Sequence, residues 1–167
     1  MSASNAPSTS PSLKGGQLYR IDREIDLALP PADVFDFITT PSLRPLWFPL
    51  SVRIVNTPER PLLFGECAYE TLRLGWRRLD VEWSVVTYEP GQVWSISTDT
   101  ALGEARLTYR TGRSSAGCRF VHTLSYRSRR IPWRWLDDSF VRWRLSRICE
   151  QALSQLKAIL QGHAPAL

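Results

Sequence analysis

Residues 23–49, REIDLALPPADVFDFITTPSLRPLWFP, decide the fold of this chain. The segment begins as a strand of alternating polar and apolar residues, which starts near residue 18. Pro30 and Pro31 then end the strand and start a helix, because proline has no N–H group for the first helical turn to leave unpaired. Pro41 ends this helix, and a second short helical turn carries Trp47. The residues predicted to share the buried face of the first helix are Val34, Phe37 and Ile38.

From residue 51 to residue 127 the pattern is that of short strands separated by turn residues. Turn sequences such as Glu-Pro-Gly at 89–91 and Ser-Ser-Ala-Gly at 114–117 punctuate the alternation. Because strands and helices do not alternate here, the pattern predicts an antiparallel meander and not a parallel dinucleotide-binding sheet. The predicted strands are Ser51–Asn56, Cys67–Leu74, Leu79–Tyr88, Gln92–Thr98, Glu104–Thr111 and Cys118–Arg127.

After Pro132 the apolar residues recur at helical spacing. The pattern predicts one long amphipathic helix, and Gly162 is typical of the residue that follows a helix C-terminus. The apolar face of this helix holds Val141, Leu145, Ile148, Ala152, Leu156 and Ile159, widened by Cys149, Leu153 and Leu160.

The order strand, two short helices, six strands and long helix resembles the START-like (SRPBCC) superfamily, in particular its polyketide cyclase/dehydrase branch. The resemblance rests on the Pro-Pro helix start, the Val34-Phe35-Asp36 sequence, Pro41 and the Trp47-x-Pro49 sequence. It implies an α+β helix-grip fold (START/Bet v 1-like), in which a curved antiparallel sheet wraps around the C-terminal helix and encloses an apolar cavity. The implied domain spans residues 18–162, and residues 163–167 form a short tail.

Composition narrows the class of protein. A chain of 167 residues is long enough for one domain with a buried core. Residues 1–17 are rich in Ser, Pro and Ala, which predicts a disordered tail and no signal peptide. No apolar run reaches the roughly 18–20 residues of a membrane-spanning helix. The three cysteines show no pairing or metal-ligand spacing, so we expect no metal, no cofactor and a reducing, cytoplasmic compartment.

Residues that could carry catalysis are scarce. His122 is the one histidine of the predicted domain, since His163 belongs to the C-terminal tail. Period-2 geometry places His122 and Tyr126 on one face of their strand, among apolar residues. The pair could orient a ligand carbonyl or transfer protons near neutral pH. The alternative is a hydrogen-bonded histidine of the core, and the sequence leaves open whether the protein is an enzyme.

The aromatic and apolar residues on the inward faces of the strands and of the last helix are the candidates for a ligand site. Trp94 and Tyr69 are further candidates, whose faces the sequence leaves ambiguous. The predicted ligand-binding residues are Trp83, Tyr109, Phe120, His122, Tyr126, Val141, Leu145 and Ile148.

Three functions are consistent with this sequence. The first is binding of a hydrophobic or aromatic small molecule, lipid- or polyketide-like, in the cavity between sheet and helix. The second, which the resemblance suggests, is a cyclase/dehydrase-type enzyme that uses the same cavity. The third is lipid handling at a membrane surface through residues 127–147, where arginines and tryptophans cluster within a chain of net charge +5 that has nineteen Arg and two Lys.

A second surface feature lies off the main apolar face of the last helix. Leu136, Phe140 and Trp143 fall together there by helical phase. Three large apolar side chains together predict a contact: with a second subunit in a homodimer, with the helical turn near Trp47, or with a membrane. Nucleic acid is not an expected partner, because no nucleic-acid-binding motif accompanies the arginines.

Overall fold

The computed structural model describes residues 18–128 and 138–162. Within these residues seven strands form one antiparallel sheet in the order β1-β7-β6-β5-β4-β3-β2. The predicted antiparallel meander is therefore confirmed. The first strand of the chain, β1, pairs with the last strand, β7. The strands are β1 Leu18–Leu27, β2 Ser51–Val55, β3 Cys67–Leu74, β4 Arg77–Glu89, β5 Val93–Thr100, β6 Gly103–Ser114 and β7 Gly117–Ser128.

Several strands are longer than the side-chain pattern predicted. The β6–β7 pair, for example, continues to Ser114 opposite Gly117, beyond the predicted end at Thr111. Gly112 interrupts the side-chain alternation. The hydrogen bonds between strands, however, are formed by backbone groups, which can pair irrespective of the side chain. Side-chain alternation therefore predicts strand ends that are too early.

Two short helices and one 3-10 turn follow β1: α1 at Pro31–Thr39, the 3-10 turn at Pro41–Leu43 and α2 at Arg44–Trp47. The buried residues of α1 are Val34, Phe35, Ile38 and Thr39. Phe37, expected on this face, is only partly buried. A stripe centred on positions 34, 35, 38 and 39 leaves Phe37 about 130° away at 100° per residue, and Phe35 takes the inner position, 6.1 Å from the Tyr88 ring.

The long helix α3 spans Asp138–Leu160 and packs across the sheet. Its C-terminal half is the tightly packed part, with Cys149, Ala152, Leu153 and Leu156 all buried on the predicted face. An ion pair of 3.0 Å between Arg23 on β1 and Glu150 also joins the helix to the sheet. Gly162 ends the helix with φ 73° and donates to the carbonyl of Ile159.

Some predictions concern residues outside the described part of the chain. The two tails, residues 1–17 and 163–167, are among them, as are Trp133, Trp135 and Leu136. In the ranges that are described, none of the helices combines the length and the apolar character needed to cross a bilayer.

Candidate functional site

An apolar cleft of about 290 Å³ lies between the sheet and the N-terminal half of α3. Strands β3 to β7 form its floor, and the loop after α2 closes its inner end. Most of its walls are aliphatic. They include Leu50, Leu72, Leu79, Val81, Leu107 and Leu124.

Five of the eight residues predicted to bind a ligand line this cleft. Trp83 and Tyr126 contribute from the sheet, and Val141, Leu145 and Ile148 contribute from α3. The other three lie elsewhere. Tyr109, Phe120 and His122 are fully buried in an aromatic core beside the cleft.

The division follows from where α2 crosses the sheet. His122 and Tyr126 share one face of β7, but four residues along a strand separate them by about 13 Å. Trp47 and Phe48, at the end of α2, pack over the region of His122. Residues on one face of the strand therefore lie in two different places, the aromatic core and the cleft. Side-chain alternation predicts the face of a residue but cannot distinguish between these two places.

The aromatic core is built around Tyr109. Its ring lies 5.4 Å from that of Trp94, 5.9 Å from that of Trp47 and 5.5 Å from that of Phe120. Trp94, an ambiguous candidate, belongs to this core and donates its indole N–H to the carbonyl of Leu62. Tyr69, the other ambiguous candidate, lies on the outer face of β3 and is 46% exposed.

His122 is 0% exposed, and its ring stacks between those of Phe48 and Tyr109. Neither ring nitrogen has a hydrogen-bond partner among the described residues. Burial, with a further contribution from the positive charge of Arg44, lowers the pKa of His122 to about 3. The imidazole is therefore neutral near pH 7, and since it does not line the cleft it is not placed to exchange a proton with a ligand there.

This burial gives a prediction about acid stability. The pKa of His122 is about 3 in the folded protein and about 6.5 in an unfolded chain. Between these values the unfolded state binds the extra proton, so folded stability falls as the pH falls from about 6.5 towards 3, by about 1.4 kcal/mol per pH unit. We expect His122→Leu, measured by urea unfolding, to gain about 2 kcal/mol relative to wild type between pH 7 and pH 5. A difference in unfolding free energy between the two proteins that is the same at pH 7 and pH 5 would contradict this prediction.

A buried polar network adjoins the inner end of the cleft. The Arg44 guanidinium donates from Nε to Oε1 of Glu70 at 2.9 Å and from Nη1 to the Tyr109 hydroxyl at 2.9 Å. The second oxygen of Glu70 accepts the indole N–H of Trp83 at 2.6 Å. Arg44 and Glu70 are both almost completely buried, and Arg44 and Trp83 line the cleft.

The charge of Arg44 is maintained in spite of its burial. Burial opposes the charged form, but Glu70 and the Tyr109 hydroxyl outweigh it and hold the pKa of Arg44 above its ordinary value. Burial also raises the pKa of Tyr109 to about 12, so its hydroxyl keeps its proton. The network is thus one positive and one negative group, with the Nη2 atom of Arg44 left without a hydrogen-bond partner among the described residues.

The sequence contains a signal for this network that lies outside the pattern of aromatic residues. On β3 the inward positions are Ala68, Glu70 and Leu72, so a carboxylate interrupts an apolar series. A buried carboxylate requires a buried partner. The partner, however, comes from α2, and only the packing of α2 on the sheet identifies Arg44.

The cleft is also lined by a thiol, a phenol and two charged side chains, Glu104 and Arg127. Burial raises the pKa of the Cys149 thiol to about 11, so it is not a thiolate. Tyr126 stacks on Tyr19 of β1 with the ring centroids 5.3 Å apart. No group of three or more His, Cys, Asp or Glu side chains in the described ranges is placed to hold a metal ion.

The surface of α3 near its start is aromatic and basic. Phe140 and Trp143 are 47% and 58% exposed and contact each other, with ring centroids 5.9 Å apart. The turn near Trp47, one of the expected contacts, does not cover them, because both rings remain exposed. Arg144 and Arg147, both exposed, lie on the same side of the helix.

Comparison with known proteins agrees with the fold. The di-domain ARO/CYC StfQ of the steffimycin biosynthetic pathway has a TM-score of 0.68 at 12% identity, with 89% of this chain and 52% of that chain covered. Ara h 8.0201 has a TM-score of 0.64 at 12% identity, with 87% of this chain and 99% of that chain covered. Protein MLL2253 from Mesorhizobium loti has a TM-score of 0.62 at 15% identity, with 89% of this chain and 100% of that chain covered. These likenesses show the fold alone, and no curated protein matches the sequence.

The family comparison is more direct, because it covers nearly all of the described chain. The family described as polyketide cyclase / dehydrase and lipid transport matches residues 19–161. The match includes the Pro-Pro helix start, the whole sheet and α3. The chain therefore belongs to this family, within the START-like superfamily of helix-grip proteins.

Proposed function

We propose that this protein binds a hydrophobic or aromatic small molecule in the apolar cleft between the sheet and α3. The observation that carries the proposal is the composition of the cleft, which combines aliphatic walls with Trp83, Tyr126 and a buried Arg44. Small-molecule sites have this character: apolar area supplies affinity, and a few polar groups fix the orientation. The volume, about 290 Å³, lies near the lower limit of such sites, about 300–1,000 Å³, so the ligand is small.

Filling the cleft should prevent binding. We expect Leu145→Trp to weaken binding of the neutral fluorophore N-phenyl-1-naphthylamine about tenfold or more, because Leu145 lines the cleft and the larger side chain occupies it. Gln151→Trp is the matched control, since Gln151 is exposed on the same helix and is not a cleft residue. Equal affinity of the two variants would show that the probe binds elsewhere. Native mass spectrometry of the purified protein would identify a ligand that copurifies with it.

A cyclase/dehydrase-type enzyme in the same cleft is the second proposal, supported by the family and by Tyr126. Of the two catalytic candidates only Tyr126 lines the cleft, so a proton transfer would depend on its hydroxyl and not on His122. The test is incubation with a poly-β-ketone thioester analogue, comparing wild type with Tyr126→Phe. Cyclised product that disappears in the variant would support catalysis, and no product above the uncatalysed rate would contradict it.

The surface of α3 supports the third proposal, contact with an anionic lipid surface. Phe140 and Trp143 stand beside Arg144 and Arg147, and Val141 and Leu145 of the same turns line the cleft. Aromatic rings flanked by arginines suit a membrane interface. A symmetric homodimer through this surface would bring the arginines of two copies together, so charge favours lipid over a second subunit.

This proposal gives a further prediction. Wild type should sediment with vesicles that contain phosphatidylserine, less so at high salt because exposed charges are screened. Phe140→Glu/Trp143→Glu should lose most of this binding and keep its fold, whereas Ser154→Glu, at an exposed position in the C-terminal half of α3, should keep both. If the wild type ignores the vesicles and the double variant turns a dimer into a monomer in sedimentation velocity, the surface is a subunit interface instead.

A further inference from the structure

We propose that Arg44 binds a neutral acceptor oxygen of the ligand, such as a ketone or amide carbonyl, at the inner end of the apolar cleft. The inference rests on the proposed binding function and specifies the class of ligand: a small, mainly apolar molecule with one carbonyl oxygen at its buried end.

The first step is that the guanidinium is fixed before any ligand arrives. Glu70 accepts from Nε at 2.9 Å, and Tyr109 accepts from Nη1 at 2.9 Å. Glu70 is fixed in turn by the indole N–H of Trp83 at 2.6 Å. Because each of these groups is buried, the position of the guanidinium is set by packing as well as by hydrogen bonds.

The second step is that one side of this guanidinium is unused. Nη2 of Arg44 has no hydrogen-bond partner among the described residues and is shielded from solvent. A buried donor without a partner is costly, and more so when it belongs to a charged group. Arg44 lines the cleft, and a ligand oxygen that displaces the side chains covering Nη2 at this end would accept from it.

The third step concerns direction. Cζ of Arg44 lies over the Phe48 ring, 4.5 Å from its centroid, and over the Trp83 ring, 5.5 Å from its centroid. The N–H donors of a guanidinium lie in its plane, so a ligand oxygen accepts at the edge of the group. A planar carbonyl oxygen accepts well from such an edge.

The fourth step distinguishes a neutral oxygen from an anion. The charge of Arg44 is already balanced by Glu70 at 2.9 Å, so the pair is neutral as a whole. A carboxylate brought to Nη2 would be a second negative charge near Glu70 in an apolar space, which is unfavourable. A carbonyl would take the hydrogen bond without adding a charge.

The experiment compares three ligands of one shape: 2-acetylnaphthalene, 2-ethylnaphthalene and 2-naphthoate. Their affinities are measured by calorimetry for wild type and for the double variant Arg44→Met/Glu70→Gln, which removes both charges together so that neither is left unpaired. For each protein we take the ratio of the ketone affinity to the hydrocarbon affinity. The hydration of the free ligands is the same in both experiments, so it cancels when the ratios of the two proteins are compared. We expect the double variant to lose about tenfold or more of this preference, and wild type to bind the naphthoate more weakly than the ketone.

A second measurement needs only the wild type. The infrared carbonyl stretch of ¹³C-labelled 2-acetylnaphthalene should lie at or below its frequency in water when bound, because a charged donor polarises the carbonyl. A frequency equal to that in hexane would overturn the inference, as would an unchanged ketone preference in the double variant, or tighter binding of the naphthoate. In each of these cases binding of the hydrocarbon would leave the proposed function standing. Failure of all three ligands to bind wild type would instead overturn the proposed function and this inference together.

Discussion

Replacing Arg44 by methionine is expected to lower the free energy of unfolding by about 3–5 kcal/mol, the usual cost of breaking a buried ion pair by removal of one partner. The methionine would fill much of the space, so the loss is mainly electrostatic. It would leave the carboxylate of Glu70 buried with the Trp83 indole N–H as its remaining partner among the groups described above. Urea unfolding at pH 7 measures the change.

Two controls separate this effect from a loss of packing. Arg44→Met/Glu70→Gln removes both charges and should recover most of the stability, because the net cost of a buried pair is small when both members are replaced. Arg60→Met breaks the exposed ion pair with Glu66, which at 2.7 Å is shorter than the buried one, and should cost less than about 1 kcal/mol. A double variant as unstable as Arg44→Met would mean that the packing of the side chain, and not its charge, is what the fold requires.

Replacing Gly117 by alanine is expected to cost about 3 kcal/mol. Gly117 begins β7 with φ 127°, a backbone conformation that L side chains rarely adopt. A Cβ atom there would also lie 2.8 Å from the carbonyl oxygen of Leu27 and 2.9 Å from that of Leu29. Both are backbone atoms, so relief requires the end of β1 to move away from the hairpin.

Gly112 provides the matched control on the neighbouring strand. It is exposed on β6, and a Cβ there would meet no atom within 4 Å. Gly112→Ala should therefore be neutral or stabilising by up to about 1 kcal/mol, since glycine weakens a strand interior. Thermal unfolding of the two variants side by side gives the comparison, and similar stabilities for both would show that the close approach at Gly117 relaxes without cost.

Part of the candidate site was predictable from period and phase. The helical spacing of Val141, Leu145 and Ile148 placed them towards the sheet, and they line the cleft. The alternation on β4 and β7 did the same for Trp83 and Tyr126. These assignments needed only the direction of a side chain relative to its own strand or helix.

The remaining site residues depended on elements that meet only in the folded chain. His122 shares its strand face with Tyr126, yet Phe48 covers it and the cleft lies further along. Arg44 belongs to a turn of four residues whose sequence does not reveal which strand it crosses. Its partner Glu70 is 26 residues away.

The sequence by itself determined the order of the elements, the antiparallel sheet and the apolar face of α3, because each depends on local geometry: the periods of strand and helix, and the conformational limits of proline and glycine. The tertiary structure alone decided which inward-facing residues fill the core and which border the cleft. The difference depends on where α2 and the start of α3 pack on the sheet. This packing brings together segments that are distant in sequence, so local sequence patterns do not predict it. For the same reason the buried pair of Arg44 and Glu70, which gives the cleft its polar end, appears only when the sheet and α2 are brought together.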